Sequence, residues 1–264
     1  MLIMRTINCG SVSNRSHLLG IMSQMRISFF TLIILLATSC DQHKDPRSNS
    51  NNTSNYLSEI KKELTKEVPD NRTINIVFHG HSVPAGYFDT TNVNTFGAYP
   101  LLVLKQLKEK YPSAVINVIN TAIGRENSVN GQKRFESQVL NHKPDIIFID
   151  YALNDRAAGL DKSRVAWIKM IERAKQEKIK TILLTPSPDL KVNLSDPDNE
   201  LEQHANQIKE LSIQYSIGFV DSYSLFKKIK ADCDCVADYM SSHNHPNEKG
   251  HLLIASEIMK YFIE

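Results

Sequence analysis

Four short segments contain the residues of this sequence that could carry out chemistry. They read GHSVPAG at 80–86, NTAIGR at 120–125, YALND at 151–155 and HNHPNEKGH at 243–251. Together they supply a serine, a glycine, an asparagine and several histidines, which could attack a carbonyl and stabilise the resulting charge. The pattern therefore indicates nucleophilic catalysis by a serine.

Ser82 is the candidate nucleophile. It lies on a predicted tight turn, where Gly80 permits a close approach of the backbone. A serine hydroxyl is a weak nucleophile at neutral pH and needs a base within hydrogen-bonding reach. His245 is the best candidate, because Pro246 and Asn247 hold it at a helix start. The oxyanion that forms needs donors, and the Gly124 N–H and the Asn154 side-chain amide could supply them.

These four segments, in this order, resemble those of the SGNH/GDSL hydrolase family. The letters S, G, N and H of the family name stand for four residues, which here are Ser82, Gly124, Asn154 and His245. The resemblance covers residues 74–262. It implies a three-layer α/β/α, flavodoxin-like fold with a parallel five-stranded sheet. It also implies a carboxylic ester hydrolase with a Ser–His pair and oxyanion donors from the Ser82 backbone, Gly124 and Asn154. The implied substrates are esters broadly: acetylated sugars, lipids, lysophospholipids or thioesters.

Two positions depart from the family pattern. The first segment usually reads Gly-Asp-Ser, but His81 replaces the aspartate; the last usually has an aspartate where Ser242 stands, three residues before His245. That aspartate orients the histidine and stabilises its charged form. We slightly favour Asp238 as the replacement, with Ser242 or a backbone carbonyl as weaker substitutes. A dyad without a carboxylate and an inactive relative both stay open.

The other reactive side chains give weaker signals. His79 and His81, and His243 and His245, form two His-x-His pairs, which can bind metals. No compact set of carboxylates accompanies them, so we predict no metal site and no cofactor. The cysteines indicate neither a zinc ribbon nor a disulfide framework. Within residues 233–235, a Cys-Asp-Cys segment, we favour an exposed loop over a disulfide or a reactive pair.

Alternating strands and helices are predicted to position these segments. The predicted strands cover 74–78, 114–119, 145–150, 180–184 and 217–220. The predicted helices cover 98–110, 133–141, a segment that begins after Ser163, 201–215 and 248–262. Ser163 is the predicted N-cap of the third helix. Val165 in that helix and Leu252 in the last helix are expected to be buried. Continuous apolar strands between helices indicate a parallel sheet covered on both faces. Its ligand site is expected at the carboxyl ends of the strands.

The amino-terminal part is predicted to be a targeting region. Residues 1–39 contain a short basic segment followed by an apolar run, and they end just before Cys40 in the manner of a bacterial lipoprotein signal peptide. Residues 1–24 show no clear pattern and could be an over-extended start. Residues 40–70 begin at a lipidated Cys40 and are rich in serine and asparagine, which predicts a flexible tether. The hydrolase domain is predicted to cover 71–264.

The charge of the chain bears on which kinds of partner it is expected to bind. A formal net charge of +2, with scattered lysine and arginine, gives no argument for nucleic acid. We predict an exported lipoprotein, periplasmic or on the cell surface, that is attached to a membrane through its lipid.

The predicted function is hydrolysis of carboxylic esters through an acyl-enzyme, with acetylated carbohydrate as the favoured substrate. A lipase, lysophospholipase or thioesterase of the same fold stays open, as does a catalytically silent glycan-binding lipoprotein. A metal-dependent hydrolase and an acyltransferase are further alternatives. The sequence leaves the oligomeric state undetermined.

Overall fold

The computed structural model describes residues 55–263, and a five-stranded parallel sheet lies at the centre of this part of the chain. The strands are β1 (Thr73–Gly80), β2 (Val115–Asn120), β3 (Ile146–Asp150), β4 (Lys180–Leu184) and β5 (Gly218–Val220). Their order in the sheet is β2-β1-β3-β4-β5, and every neighbouring pair is parallel. This order is flavodoxin-like and confirms the α/β fold predicted from the sequence.

Helices connect the strands. They are α1 (Ser58–Leu64), α2 (Ser82–Ala85), α3 (Tyr99–Lys110), α4 (Ser128–Gln138), α5 (Ala152–Asp155), α6 (Leu160–Gln176), α7 (Glu200–Tyr215), α8 (Ser222–Cys233) and α9 (Glu248–Ile263). Two short 3₁₀ helices cover Leu140–His142 and Val236–Tyr239.

The sheet separates two apolar clusters because successive side chains of a strand point to opposite faces. In β3, Phe148 packs in one cluster while Ile147 and Ile149 pack in the other. All three side chains are fully buried. The strands are therefore covered on both faces, which explains why their sequences are continuously apolar.

The packed domain begins upstream of Asn71, where the sequence analysis placed its start. Leu57, Ile60 and Leu64, in and beside α1, are buried in the same cluster as β1. Tyr56 also joins this region to β4, because its hydroxyl donates to the Thr181 carbonyl at 2.8 Å and accepts from the Thr181 N–H at 3.0 Å. Residues 56–64, which the sequence analysis assigned to the flexible tether, are thus part of the fold.

Several predicted details were wrong. α6 begins at Leu160 after Gly159, and Ser163 lies inside it, with its hydroxyl donating to the Leu160 carbonyl. Val165 and Leu252 were expected to face inward, but they are 54% and 51% exposed. Helix α8 was not predicted at all.

The segment 233–235 is also corrected, because Cys233 and Cys235 form a disulfide instead of an open loop. The signal region, Cys40 and most of the predicted tether lie outside the described residues. Between residues 55 and 263, none of the helices has both the length and the apolar character needed to cross a membrane.

Candidate active site

The carboxyl ends of neighbouring strands carry the predicted site residues. Ser82 follows β1, Gly124 follows β2 and Asn154 follows β3. Because β1 lies between β2 and β3, these three residues lie along one edge of the sheet. His245 reaches this edge from the loop before α9.

Ser82 and His245 are in direct contact. The Nε2 atom of His245 lies 2.9 Å from Oγ of Ser82, although the two residues are 163 positions apart in the sequence. This is hydrogen-bonding distance for a nucleophile and its base. The structure therefore brings together the pair that the sequence analysis proposed.

Ser242 is the partner of the second ring nitrogen. Its Oγ lies 3.0 Å from Nδ1 of His245. The Nδ1 atom must carry the proton if Nε2 is to accept one from Ser82, so Nδ1–H donates to the serine hydroxyl. Asp238, the favoured acid, is exposed, and its hydrogen bonds are those of its backbone. The structure thus places Ser242, and not Asp238, against His245.

His245 is a weak base in this setting. Burial lowers its pKa from 6.5 to about 4; His81 and His243 act in the same direction, and Asp89 opposes them. The imidazole is therefore neutral at physiological pH and can accept a proton. The neutral hydroxyl of Ser242 can fix its tautomer but cannot offset the charge of an imidazolium.

His81 explains how the first segment works without its usual aspartate. It is the N-cap of α2, and its Nδ1 accepts a hydrogen bond from the Val83 N–H at 3.2 Å. Its Nε2 lies 3.3 Å from Oδ1 of Asp150, an electrostatic contact without hydrogen-bond geometry. The histidine thereby takes over the capping of the turn that presents Ser82.

Gly80 is required by the path of the backbone before Ser82. A Cβ atom at this position would lie 2.4 Å from the carbonyl oxygen of Asp150 and 2.7 Å from Cγ of Pro84. Both contacts are too short for any side chain. The close approach that the sequence analysis inferred for this glycine is therefore present, and it is made to β3.

The three predicted oxyanion donors at this edge of the sheet have an N–H group available for a ligand. Ser82 is the first residue of α2, so its N–H has no intrahelical acceptor, and the N–H of Gly124 makes no hydrogen bond within residues 55–263. The Asn154 side-chain amide donates to the Glu126 carbonyl at 2.9 Å. An amide nitrogen has two hydrogens, so one remains for a ligand. The ring of Tyr87 lies against Gly124.

Glu126 is held in place by a largely buried network behind the site. Its carboxylate pairs with Arg134 and accepts a hydrogen bond from the Tyr151 hydroxyl at 2.7 Å. Nε2 of His79 lies 3.1 Å from that hydroxyl and 3.2 Å from the Gly131 carbonyl, and burial lowers the pKa of His79 to about 3. The network fixes the carbonyl that orients Asn154.

A second chain of polar contacts begins at Arg156, two residues after Asn154. Arg156 donates through Nη2 to Oδ2 of Asp189 at 2.8 Å, and Nδ1 of His243 lies 3.0 Å from Oδ1 of the same carboxylate. Arg156 also donates to the Leu153 carbonyl at 3.0 Å. These contacts connect the loops that follow β3 and β4 with the loop that carries His245.

The histidines of the two His-x-His pairs have separate partners, as described above, and do not converge. Among residues 55–263 no group of three or more His, Cys, Asp or Glu side chains is arranged to hold a metal ion. Nothing in the described geometry therefore favours the metal-dependent hydrolase considered from the sequence.

Sequence reasoning missed Glu126 and Asp189 as residues of the site. Asp189 had an available signal, because it follows β4 at the edge of the sheet where functional residues are expected. Glu126 had none, since the part it plays comes from its backbone carbonyl and from partners 8 and 25 positions away.

Comparison with known proteins supports the family that the sequence resembles. The GDSL-like Lipase/Acylhydrolase family matches residues 78–253, which are about two thirds of the chain and include all four segments. An acetylxylan esterase from Geobacillus stearothermophilus is 23% identical over an alignment of 203 positions, which covers 70% of this chain and 92% of that protein.

Two solved structures are similar in fold. The structure of an acetylxylan esterase from Geobacillus stearothermophilus aligns with a TM-score of 0.64 at 21% identity, over 72% of this chain and 94% of its own. A two-domain esterase active on acetylated mannans aligns with a TM-score of 0.64 at 20% identity, over 78% of this chain. The alignment covers 52% of that esterase, so this chain matches about half of its length.

Catalytic mutants of that acetylxylan esterase have also been solved. Its solved catalytic mutants alter a serine, a histidine and an aspartate that lies three residues before that histidine. At the same spacing before His245 the present chain has Ser242.

Proposed function

This chain belongs to the GDSL-like lipase/acylhydrolase family, and we propose on that basis that it is a serine esterase that removes O-acetyl groups from carbohydrates. The family match confirms the class predicted from the sequence, a carboxylic ester hydrolase. The observation that carries the proposal is the 2.9 Å contact between Ser82 and His245 beside the oxyanion donors. Acetylated carbohydrate is supported by the activities of the acetylxylan and acetylated-mannan esterases, which are similar at low identity.

The reaction proceeds in two steps. Ser82 Oγ attacks the ester carbonyl while Nε2 of His245 takes its proton. The oxyanion accepts hydrogen bonds from the Ser82 and Gly124 N–H groups and from the amide of Asn154. His245 returns its proton to the leaving alcohol, and an acyl-enzyme remains. Water then attacks the acyl group and gives a proton to His245, which passes it to Ser82 Oγ as acetate is released.

The alternatives differ in measurable ways. A lipase, lysophospholipase or thioesterase would prefer long acyl chains or a thiol leaving group. A glycan-binding protein without activity would bind the oligosaccharide and release no acetate. An acyltransferase would pass the acetyl group to an added sugar faster than to water.

Acetate release from acetylated xylo-oligosaccharides tests the function directly. The purified protein is compared with Ser82→Ala and with Ser113→Ala, an exposed serine just before β2 at the opposite edge of the sheet. We expect release that is lost in Ser82→Ala, retained in Ser113→Ala and indifferent to a chelator. Equal release from the unaltered protein and Ser82→Ala would refute the proposal, and so would faster turnover of long-chain esters.

We further propose that the domain is exported and attached to a membrane through a lipid on Cys40. The support is the apolar run that ends in Ala-Thr-Ser before this cysteine, followed by the serine- and asparagine-rich segment. Expression in a bacterial host with a radiolabelled fatty acid is expected to label the protein and not its Cys40→Ser variant. Equal labelling of the two, or none of either, would contradict the anchor.

A further inference from the structure

We propose that His243 binds a hydroxyl group of the carbohydrate next to the acetyl ester, and so forms a subsite for the alcohol part of the substrate. This inference rests on the proposed function, because it assigns a recognition role within the same site. It concerns an exposed histidine that the mechanism above does not use.

His243 is exposed and yet held in a fixed orientation. Its side chain is 43% exposed, while Nδ1 contacts Asp189 at 3.0 Å. The Asp189 side chain is only 6% exposed, and its second oxygen binds Arg156 at 2.8 Å. A surface histidine ordinarily has several rotamers, but this ring is anchored to a buried ion pair. Such an arrangement prepares the outer face of the ring for a ligand.

The contacts also determine which ring nitrogen faces outward. Burial acts to raise the pKa of Asp189, but hydrogen bonds from Arg156, the Lys191 N–H and His243 hold it below its usual value. A carboxylate only accepts hydrogen bonds, so Nδ1 of His243 must carry the proton. In the neutral ring Nε2 is then an acceptor, and it lies on the side of the ring away from Asp189.

His243 lies in the same loop as the base His245. It lies two residues before His245, and its charge would affect the pKa of that base. Its carbonyl accepts the Leu190 N–H at 2.6 Å. Through Asp189 and Arg156 it is also connected to the Leu153 carbonyl, next to Asn154. The loop that carries His243 and the base His245 is therefore connected to the segment that carries Asn154.

The chemistry of the ligand follows from that position. An acetyl group has no hydrogen-bond donor, so an acceptor here cannot recognise the acyl part of the ester. A sugar ring that carries an acetyl group has hydroxyls on neighbouring carbons, and each can donate to Nε2. An aryl acetate such as 4-nitrophenyl acetate has no such hydroxyl. His243 should therefore discriminate between esters by their alcohol.

The test compares two substrates on the same samples. We measure kcat/KM for an acetylated xylo-oligosaccharide and for 4-nitrophenyl acetate, and report their ratio for the unaltered protein, His243→Ala and His243→Gln. His142→Ala is the matched control, because His142 is an exposed histidine just before β3, at the opposite edge of the sheet. Any unfolded protein cancels from the ratio, since both rates come from one sample.

We expect His243→Ala to lower the ratio about five- to tenfold, the value of one ordinary hydrogen bond. Glutamine has a donor for Asp189 and an acceptor for the sugar, so His243→Gln should recover most of the loss, and His142→Ala should match the unaltered protein. A ratio that His243→Ala leaves within twofold would overturn the inference, as would a glutamine variant no better than alanine. Failure of the unaltered protein to release acetate from the oligosaccharide in a Ser82-dependent way would overturn the proposed function as well.

Discussion

Replacing Ser242 by aspartate tests how His245 acts as a base. The hydroxyl of Ser242 lies 3.0 Å from Nδ1 of His245, so the substitution puts a carboxylate beside a ring that has only a neutral partner. The pKa of His245 is lowered to about 4, first by burial and then by His81 and His243. A negative charge at this position opposes that lowering.

The expected change in the pKa of His245 follows from the geometry. Two unit charges about 4 Å apart near a protein surface interact by about 4 kcal/mol, and about 1.4 kcal/mol corresponds to one pH unit in a pKa. Desolvation of the new carboxylate cancels part of this, so we expect the pKa of His245 in Ser242→Asp to lie between about 6 and 7. A stronger base transfers protons faster, and kcat/KM above pH 7 should rise about tenfold.

The assay is the pH dependence of kcat/KM for acetate release. Protonated His245 cannot accept a proton, so activity is lost as the pH falls through its pKa. For the unaltered protein the midpoint should lie near pH 4, and for Ser242→Asp between about pH 6 and 7. Ser242→Asn is the control, because asparagine has nearly the shape of aspartate without the charge. Samples held at each pH and returned to pH 7 must recover full activity.

Two results would refute this reasoning. One is a midpoint of 6.5 or above in the unaltered protein, because the ring would then have an ordinary pKa despite its surroundings. The other is a Ser242→Asp profile that coincides with that of Ser242→Asn, because the charge would then not reach the ring.

Three further predictions concern the oxyanion site, the nucleophile turn and acid stability. Asn154→Ala should lower kcat about 10²- to 10³-fold with little change in KM, measured by acetate release; an unchanged kcat would remove Asn154 from the oxyanion site. Gly80→Ala forces a Cβ atom within 2.4 Å of the Asp150 carbonyl, and urea titration should show a loss of at least about 1–3 kcal/mol in unfolding free energy. Burial lowers the pKa of His79 and of His251 to about 3, so only the unfolded chain takes up these protons below pH 6.5. The unfolding free energy should therefore fall as the pH drops, by about 2 kcal/mol per histidine at pH 5; equal urea midpoints at pH 7 and pH 5 would contradict this burial.

Much of the fold could be predicted because its strands are buried on both faces. Such strands give continuous apolar runs, and β4 was predicted with its observed ends because two prolines follow it. The ends of the helices were harder to predict from the sequence than those of the strands. The sequence favoured Ser163 as a cap, but Gly159, with a φ of +82°, ends the preceding loop and lets α6 begin one turn earlier. Helix α8 escaped notice although Asp221 caps it by accepting the Ser224 N–H.

The site was predictable where residue type and strand position determine it. Ser82 and His245 could be paired because a serine nucleophile needs a base, and both lie where the sheet presents ligands. The partner of His245 could not be predicted from sequence, since the choice between Asp238 and Ser242 depends on the path of a short loop. The contact of His243 with Asp189 joins residues 54 positions apart, and no local pattern indicates it.

The contact between Ser82 and His245 also has a consequence for the folding of the chain. The bond between them spans 163 residues, and the segment that carries His245 is fastened by two other long-range bonds, from the Tyr99 N–H to His251 and from the Tyr111 hydroxyl to the Phe262 carbonyl. Contacts of such wide separation form late, because a long loop must first be closed. The nucleophile and its base lie far apart in the chain, so there is no working pair until α9 has formed and docked. Gain of esterase activity should therefore mark the final stage of folding in this domain.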